Sequence, residues 1–281
     1  GDSIVAVQTG TKVKVHVHTL TPEKALSFCH NYGEFLTLKI ENMTLQHHET
    51  NIENRFDDEP KKKFGIVTVA TGEGIKKTLS DLGADVIIDG GQGKNPSAED
   101  FVDAFNKVNA ETIFVLPNNG NIIMAAKQAA ELCSEFSVRV IESRSIGDGY
   151  AALTMLSYDS GDVDEIENNL RDAMQGVITG MVTKAVRTTT VDGVSIKEND
   201  YIGFTDKHML VSCENSEKTA IELTEKLNIS DYEYMIVIYG SDTSETEKES
   251  FRKYMNQNHR YTELCEIEGN QEIYNFILIL Q

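Results

Sequence analysis

The sequence predicts an α/β protein made of a parallel-sheet first unit, a second and smaller α/β unit, and a short α+β piece ahead of both. Three observations carry this. Apolar strand-like runs alternate with helical periodicity from residue 64 to residue 141, the pattern of successive βαβ units. A second alternation closes the chain beyond the turn signal Asp192-Gly193. The first 19 residues instead alternate apolar and polar positions with period two around Thr9-Gly10-Thr11.

Residues 3–19 read as a hairpin with Val13, Val15 and Val17 on one face and Lys14, His16 and His18 on the other. Pro22 suits the first turn of a helix running to about Tyr32, and residues 36–40 read as a third strand. Residues 44–63 lose apolar periodicity, pass through Gln46-His47-His48-Glu49 and end in three acids, Pro60 and three lysines, which makes them a linker. The first α/β unit follows: strand 65–69, a glycine-bounded turn at 71–74, helix 75–82 and strand 86–88. Helix 98–108, strand 112–116, helix 121–135 and strand 138–141 complete it. Such alternation implies a parallel sheet covered on both faces.

Helices 148–158 and 162–178 are expected to lead away from that sheet. Strands 182–191 and 194–203 flank Asp192-Gly193 as a hairpin, because both central positions of a type I′ turn need positive φ. Strand 208–212, helix 216–228, strand 234–239, helix 243–258 and strands 261–267 and 273–280 form the closing unit. The expected organisation is therefore 1–43, a linker at 44–63, a subdomain at 64–160, and a helical connection, hairpin and second subdomain at 161–281.

At 281 residues the chain is long enough for two or three domains of ~100–200 residues each. No apolar run approaches the ~20 residues of a membrane helix, so no membrane-spanning segment is expected. The start, Gly1-Asp2-Ser3 followed directly by a strand-like run, has no signal-peptide pattern and reads as a piece of a longer chain. Cysteines at 29, 133, 213 and 265 form no CxxC pair, which argues against a zinc ribbon or dithiol site and favours a reducing, cytoplasmic setting. Lys and Arg number 26 against 45 Asp and Glu, and the resulting −19 repels nucleic-acid phosphate and anionic lipid. A basic partner is the natural expectation. The excess is uneven, with 8 basic and 9 acidic residues in 1–63 but 6 and 14 in 214–281.

Five constellations could carry chemistry. His16-x-His18 puts two imidazoles on one face of a strand, about 6.6 Å apart, where they could transfer a proton or bind a metal; an exposed hairpin face with incidental histidines fits equally, and no third ligand is evident nearby. The loop Asp89-Gly90-Gly91-Gln92-Gly93-Lys94-Asn95-Pro96-Ser97 ends a strand and precedes a helix, where α/β sheets bind ligands, but it matches neither GxxxxGK[ST] nor GxGxxG. Its simpler role is a tight turn with Ser97 as helix cap. Pro117-Asn118-Asn119-Gly120-Asn121 occupies the same edge, again with capping as the simpler role, and Ser143-Arg144-Ser145 follows the fourth strand. Gly90, Gly91, Asn95, Asn118, Asn119, Ser143 and Ser145 are thus candidates for one shared rim. The fifth is acidic: Asp159, Asp162, Asp164, Glu165, Glu167 and Asp172 surround one helix start, and Asp242, Glu245, Glu247 and Glu249 another. Such acids favour the helix dipole and stay solvated, or they dock a partner.

The order of the His-x-His strand, Ile40-Glu41-Asn42-Met43, GGQGKNPS, VLPNNGNI and the closing apolar strand resembles the C-terminal half of the bacterial fatty acid kinase A-subunit family, also called dihydroxyacetone-kinase-like. The resemblance covers essentially the whole chain. It implies that residues 1–43 end the family's central domain and that 64–281 form a DegV-like pair of α/β subdomains. It also implies a reaction, phosphorylation of a fatty acid on a DegV-type carrier to acyl-phosphate for phospholipid synthesis. ATP and Mg would sit on an N-terminal domain outside this chain, leaving no cofactor or metal here and this chain alone inactive. By the same resemblance His16 and His18 are the catalytic pair, completed by a cysteine upstream of residue 1. The implied partners are the carrier and the N-terminal kinase domain, and a homodimer through the central domain is compatible with it. For docking, the resemblance and charge together favour Asp159, Asp162, Asp164, Glu165, Glu167, Asp242 and Glu245. The first strand ends Val69-Ala70-Thr71-Gly72-Glu73-Gly74, without the Asp-Ser turn typical of DegV-type binders. A fatty-acid-binding module is the alternative, and a metal-dependent hydrolase built on the His pair a third reading.

Overall fold

The computed structural model describes residues 2–9, 12–36, 38, 61–91 and 93–281, with the first hairpin given largely by its backbone. The chain divides into two compact units, residues 1–58 and 59–281.

In the first unit β1 (Asp2–Thr9) pairs antiparallel with β2 (Lys12–His18), as the period-two pattern requires. Pro22 opens α1 (Pro22–His30), at a position whose N–H would have no helical partner anyway. None of the α1 residues is buried. Phe28 and Tyr32 lie with ring centroids 5.2 Å apart, and both are largely exposed. Of the strand expected at 36–40, Leu36 and Leu38 lie in no strand, and the other positions are outside the described residues, as is the expected linker up to Pro60.

The second unit opens with β3 (Lys62–Ala70), three residues earlier than periodicity suggests. The Lys62 N–H donates to the Asn109 carbonyl at 2.8 Å and its ammonium pairs with Asp85 at 2.7 Å, so the basic run is drawn into the sheet. With β4 (Val86–Asp89), β5 (Ala110–Leu116) and β6 (Ser137–Val140) it forms a four-stranded sheet in the order β4-β3-β5-β6, parallel throughout. Alternate residues face opposite sides. Val67, Val69, Ile113 and Val115 pack on α3 (Ala98–Phe105) and α4 (Ile123–Leu132). Ile66, Ala70, Phe114 and Leu116 face α2 (Glu73–Asp81), α5 (Ile146–Thr154) and α6 (Val163–Ala173). Both faces are covered, which is why the strands read as continuous apolar runs.

The helices expected to lead away, α5 and α6, instead pack back onto this sheet through Ala152, Leu153, Ile166 and Leu170. Helix α6 also stops at Ala173, short of the expected 178. Gly176, at φ 82°, reverses the chain into β7 (Ile178–Lys184).

Asp192 and Gly193 sit at φ 51° and 81°, as a type I′ turn demands. The hairpin they close is only β8 (Thr189–Val191) with β9 (Val194–Ile196). Residues 182–184, expected in its first arm, belong to β7, which pairs with β10 (Tyr201–Phe204) and β14 (Tyr274–Leu280). With β11 (Met209–Cys213), β12 (Tyr234–Tyr239) and β13 (Glu263–Glu268) they make a six-stranded mixed sheet, order β11-β10-β7-β14-β12-β13. The closing unit, expected to be the smaller, thus carries the wider sheet, because β7 joins it across nearly a hundred residues. One face packs on α7 (Ser216–Lys226) and α8 (Glu245–Asn258) through Val237, Leu278, Leu223 and Phe251. The other presents Ile236, Ile238, Ile277 and Ile279 to the same core as α2, α5 and α6. Those three helices are therefore the filling between the two sheets.

Candidate functional site

The carboxyl edge of the four-stranded sheet is where the loops singled out by sequence meet. Asn118 follows β5 at φ 57°, a left-handed conformation that asparagine tolerates. Its Nδ2 donates to Thr68 Oγ1 at 2.8 Å and to the Val69 carbonyl at 3.0 Å, while its N–H donates to Ser143 Oγ at 2.9 Å. Thr68 in turn donates to the Leu116 carbonyl. One network thus ties β3, the loop after β5 and the loop after β6. Ser143 is fully buried.

The neighbouring candidates act as caps. Asn119 Oδ1 accepts from the Asn121 N–H at the 3₁₀ turn before α4. Ser145 and Asp148 form a capping box at α5, and Ser145 also bonds Thr179 Oγ1 of β7 at 2.8 Å. Ser97 and Asp100 form the same box at α3, and the hydrogen bonds from Ser97 hold the Asp100 carboxyl below its ordinary range. In the glycine loop, Gly91 and Lys94 bridge through their backbones, and Gly90 lies against the Pro96 ring. Asn95 is exposed there. Asp89 holds Lys76 at 2.6 Å, and that hydrogen bond keeps its carboxyl low.

The N-terminus of α2, the first rim position, is filled from the other subdomain. Gly74 N–H donates to the Gly269 carbonyl at 3.0 Å, and Gln271, 2% exposed, packs beside Gly72. A β-carbon on Gly74 would stand 1.6 Å from the Glu268 carbonyl oxygen. The seam between the subdomains is closed by backbone at this point. Sequence reasoning missed Thr68, Gly269 and Gln271 as rim residues. Thr68 carries a readable signal, a polar residue inside an apolar strand, whereas Gly269 and Gln271 lie some 195 residues away from the helix they cover.

The acids fall into two groups. Asp162 caps α6 by accepting from the N–H groups of Asp164 and Glu165, Asp164 reaches Arg139 at 3.3 Å, and Glu167 is held by Arg171 at 2.7 Å and Arg139 at 3.5 Å. Glu245 pairs with Lys248 at 2.7 Å. Burial pushes the Glu247 carboxyl up, but hydrogen bonds from Ser216 and Ser244 outweigh it and leave the group low. Asp159, Glu165, Asp242 and Glu249 keep exposed side chains.

His16 and His18 lie on β2 opposite Val5 and Asp2. Their side chains fall outside the described part of the chain. Among the described residues no three His, Cys, Asp or Glu side chains are grouped to hold a metal, and no helix is long and apolar enough to cross a membrane.

Residues 65–281 match the family model for the C-terminal domain of fatty acid kinase A-subunit-like proteins, and residues 1–50 match the model for their middle domain. The chain belongs to the fatty acid kinase A-subunit-like family. It is 38% identical over 283 residues to protein YloV of Bacillus subtilis (strain 168), covering 99% of this chain and 51% of that protein. The chain spans about half the length of the curated relatives it matches. Its fold is that of the DegV proteins: the DegV family protein Cg2579 from Corynebacterium glutamicum superposes with a TM-score of 0.57 at 14% identity, over 78% of this chain and 97% of that one. The Streptococcus pneumoniae fatty acid kinase B3 protein, loaded with linoleic acid, gives 0.51 at 12% identity, over 78% and 99%. The expected family and the DegV-like pair of α/β subdomains are both borne out.

Proposed function

We propose that this chain is the carrier-docking part of a fatty acid kinase of the A-subunit type. It holds a DegV-type acyl carrier in the cytoplasm while a nucleotide-binding domain outside this chain, bearing ATP and Mg, phosphorylates the carried fatty acid to acyl-phosphate for phospholipid synthesis. His16 and His18 serve that transfer from the central domain.

The observation that carries docking over ligand enclosure is the filled seam. Gly74 and Gly72 meet Gly269 and Gln271 at the junction of the two subdomains, and Asn118 bonds Thr68 and Ser143 across the rim. A DegV-like body whose own rim is occupied is suited to present its outer surface. That surface is acidic, and the exposed carboxylates of Asp159, Glu165, Asp242 and Glu249 would speed encounter with a basic carrier.

The alternative, a fatty-acid-binding module, is favoured by the fold itself, since the similar Streptococcus pneumoniae protein was obtained with linoleic acid. Calorimetric titration separates the two. Binding of a DegV-type carrier without binding of free linoleate is the expected result; saturable linoleate binding with no carrier binding would replace docking by lipid binding.

A further inference from the structure

Phe28 and Tyr32 belong to a wider apolar surface on the first unit. Of the sixteen large apolar side chains exposed among the described residues, seven fall within residues 15–38 and nine are spread between residues 124 and 273. Exposed apolar residues scattered singly are ordinary on a protein surface, whereas a group crowded into one short segment marks a face that something else covers. Leu20 is 98% exposed and Tyr32 78%. Ala25, Leu26 and Cys29 form the half-buried side of α1, and Phe28 and Tyr32, one turn apart, stand on the side next to it with their rings in contact. Beyond the helix the chain turns so that Phe35 stacks on His30 with ring centroids 5.8 Å apart, leaving Leu36 in water.

These elements are too small to hold themselves. A helix of nine residues falls below the ~12–15 at which an isolated helix becomes stable in water, and a two-stranded hairpin by itself is marginal at best. Packing of an apolar face normally makes up the difference, yet no residue of α1 is buried. Only Thr19, Leu20 and Thr21 separate β2 from α1, and the Thr21 N–H donates to Thr19 Oγ1 at 3.1 Å. Whatever fixes α1 therefore also restrains the strand that carries His16 and His18.

We infer that the face carrying Leu20, Phe28, Tyr32 and Leu36 is covered by the part of the middle domain that lies outside this chain, and that β1, β2 and α1 keep their fold only when it is present. Size and order choose this occupant. The middle-domain match, residues 1–50, is at the lower end of what folds as a domain, and the chain spans about half the length of its curated relatives, so the longer proteins have chain to supply. With the C-terminal match following at residue 65, the missing part of the middle domain precedes this piece. A second copy would bring only another short helix and hairpin, which leaves the same deficit of buried surface. The four anchors carry no charge, so the covering segment presents an apolar face of its own. The inference concerns the middle domain and stands whether or not residues 59–281 dock a carrier.

The test compares amide hydrogen exchange in the 281-residue chain and in the longer protein that also contains the preceding part of the middle domain. In the 281-residue chain, peptides covering residues 12–18 and 22–30 should exchange at nearly the rate of unstructured chain. In the longer protein they should exchange at least about a hundredfold more slowly, and equally so over a tenfold dilution. Protection already present in the 281-residue chain would show that nothing outside it is needed, and protection lost on dilution would assign the face to a second copy; either overturns the inference. These arms need no variant to fold. In the longer protein Phe28→Asp should abolish protection of residues 12–30 and leave that of 59–281 unchanged, while Phe28→Leu, still apolar, should keep most of it. In the 281-residue chain Phe28→Asp should leave the urea midpoint where it was. Full protection of residues 12–30 in the Phe28→Asp longer protein would also overturn the assignment.

Discussion

A β-carbon on Gly149 would stand 2.2 Å from Asn118 Oδ1, so the asparagine that links three rim segments depends on the absence of a side chain in α5. Gly149→Ala should therefore destabilise the chain by ~1–3 kcal/mol, the usual cost of overpacking a filled site. Asn118→Gly keeps the left-handed backbone and removes the obstacle. The double variant should be more stable than the sum of the two single effects implies. Strict additivity in urea midpoints would show that the two residues do not press on one another.

Gly74→Ala meets backbone rather than a side chain, since its β-carbon would lie 1.6 Å from the Glu268 carbonyl oxygen. It should cost at least ~3 kcal/mol, because a carbonyl inside a strand terminus cannot swing aside as a side chain can. The two subdomains share one core around α2, α5 and α6, so residues 59–281, expressed alone, should unfold in a single transition by far-ultraviolet dichroism and by tyrosine emission. Two separate transitions within that unit would contradict the shared core.

Ser97→Ala should cost ~1 kcal/mol through loss of the α3 cap. The Asp100 carboxyl is held low by hydrogen bonds from the Ser97 backbone and hydroxyl. A group whose folded value is depressed contributes stability above its unfolded value and loses it as pH falls through the folded one. The contribution is thus complete above about pH 4 and declines in more acidic solution. Asp100→Asn should flatten the acid limb of the stability profile. An unchanged limb would mean that other carboxylates dominate it.

Asp159, Glu165, Asp242 and Glu249 are exposed acids able to face a partner. Reversing them to Lys should slow association with a DegV-type carrier and reduce its salt sensitivity, with little change in dissociation. Asp81 and Asp103, exposed on the first subdomain, are the controls. Asp85 would be a poor one, because it accepts from the Ile66 N–H at 2.8 Å and pairs with Lys62. Association rates independent of salt and of all four reversals would point to an apolar interface instead.

Given carrier-bound fatty acid and ATP, this chain alone should release no ADP, since its sequence offers no phosphate-cradling motif. In the longer protein, His16→Ala and His18→Ala should abolish acyl-phosphate formation while leaving carrier binding intact. Wild-type turnover in both would return the pair to an ordinary strand face.

Local chemistry was legible in the sequence. The period-two hairpin, the βαβ alternation, the Ser97 cap and the Asp192-Gly193 turn are each decided by residues within a few positions of one another, and the glycine and asparagine loops fall on the sheet edge that βαβ connectivity dictates. Pairing over long separations was not legible. Residues 182–184 look like a hairpin arm because Asp192-Gly193 lies nearby, yet they join β14 some 90 residues on, where Val182 and Phe276 are in register and both fully buried. Burying that apolar pair outweighs the local turn signal. The rim was decided the same way. Asn118 and Gly72 mark loops in any reading, but only the folded chain brings Thr68 to the first and Gln271 to the second, filling the edge from within. Contacts of that kind depend on shape and on the pairing of buried polar groups across distant segments, which no local pattern of residues encodes.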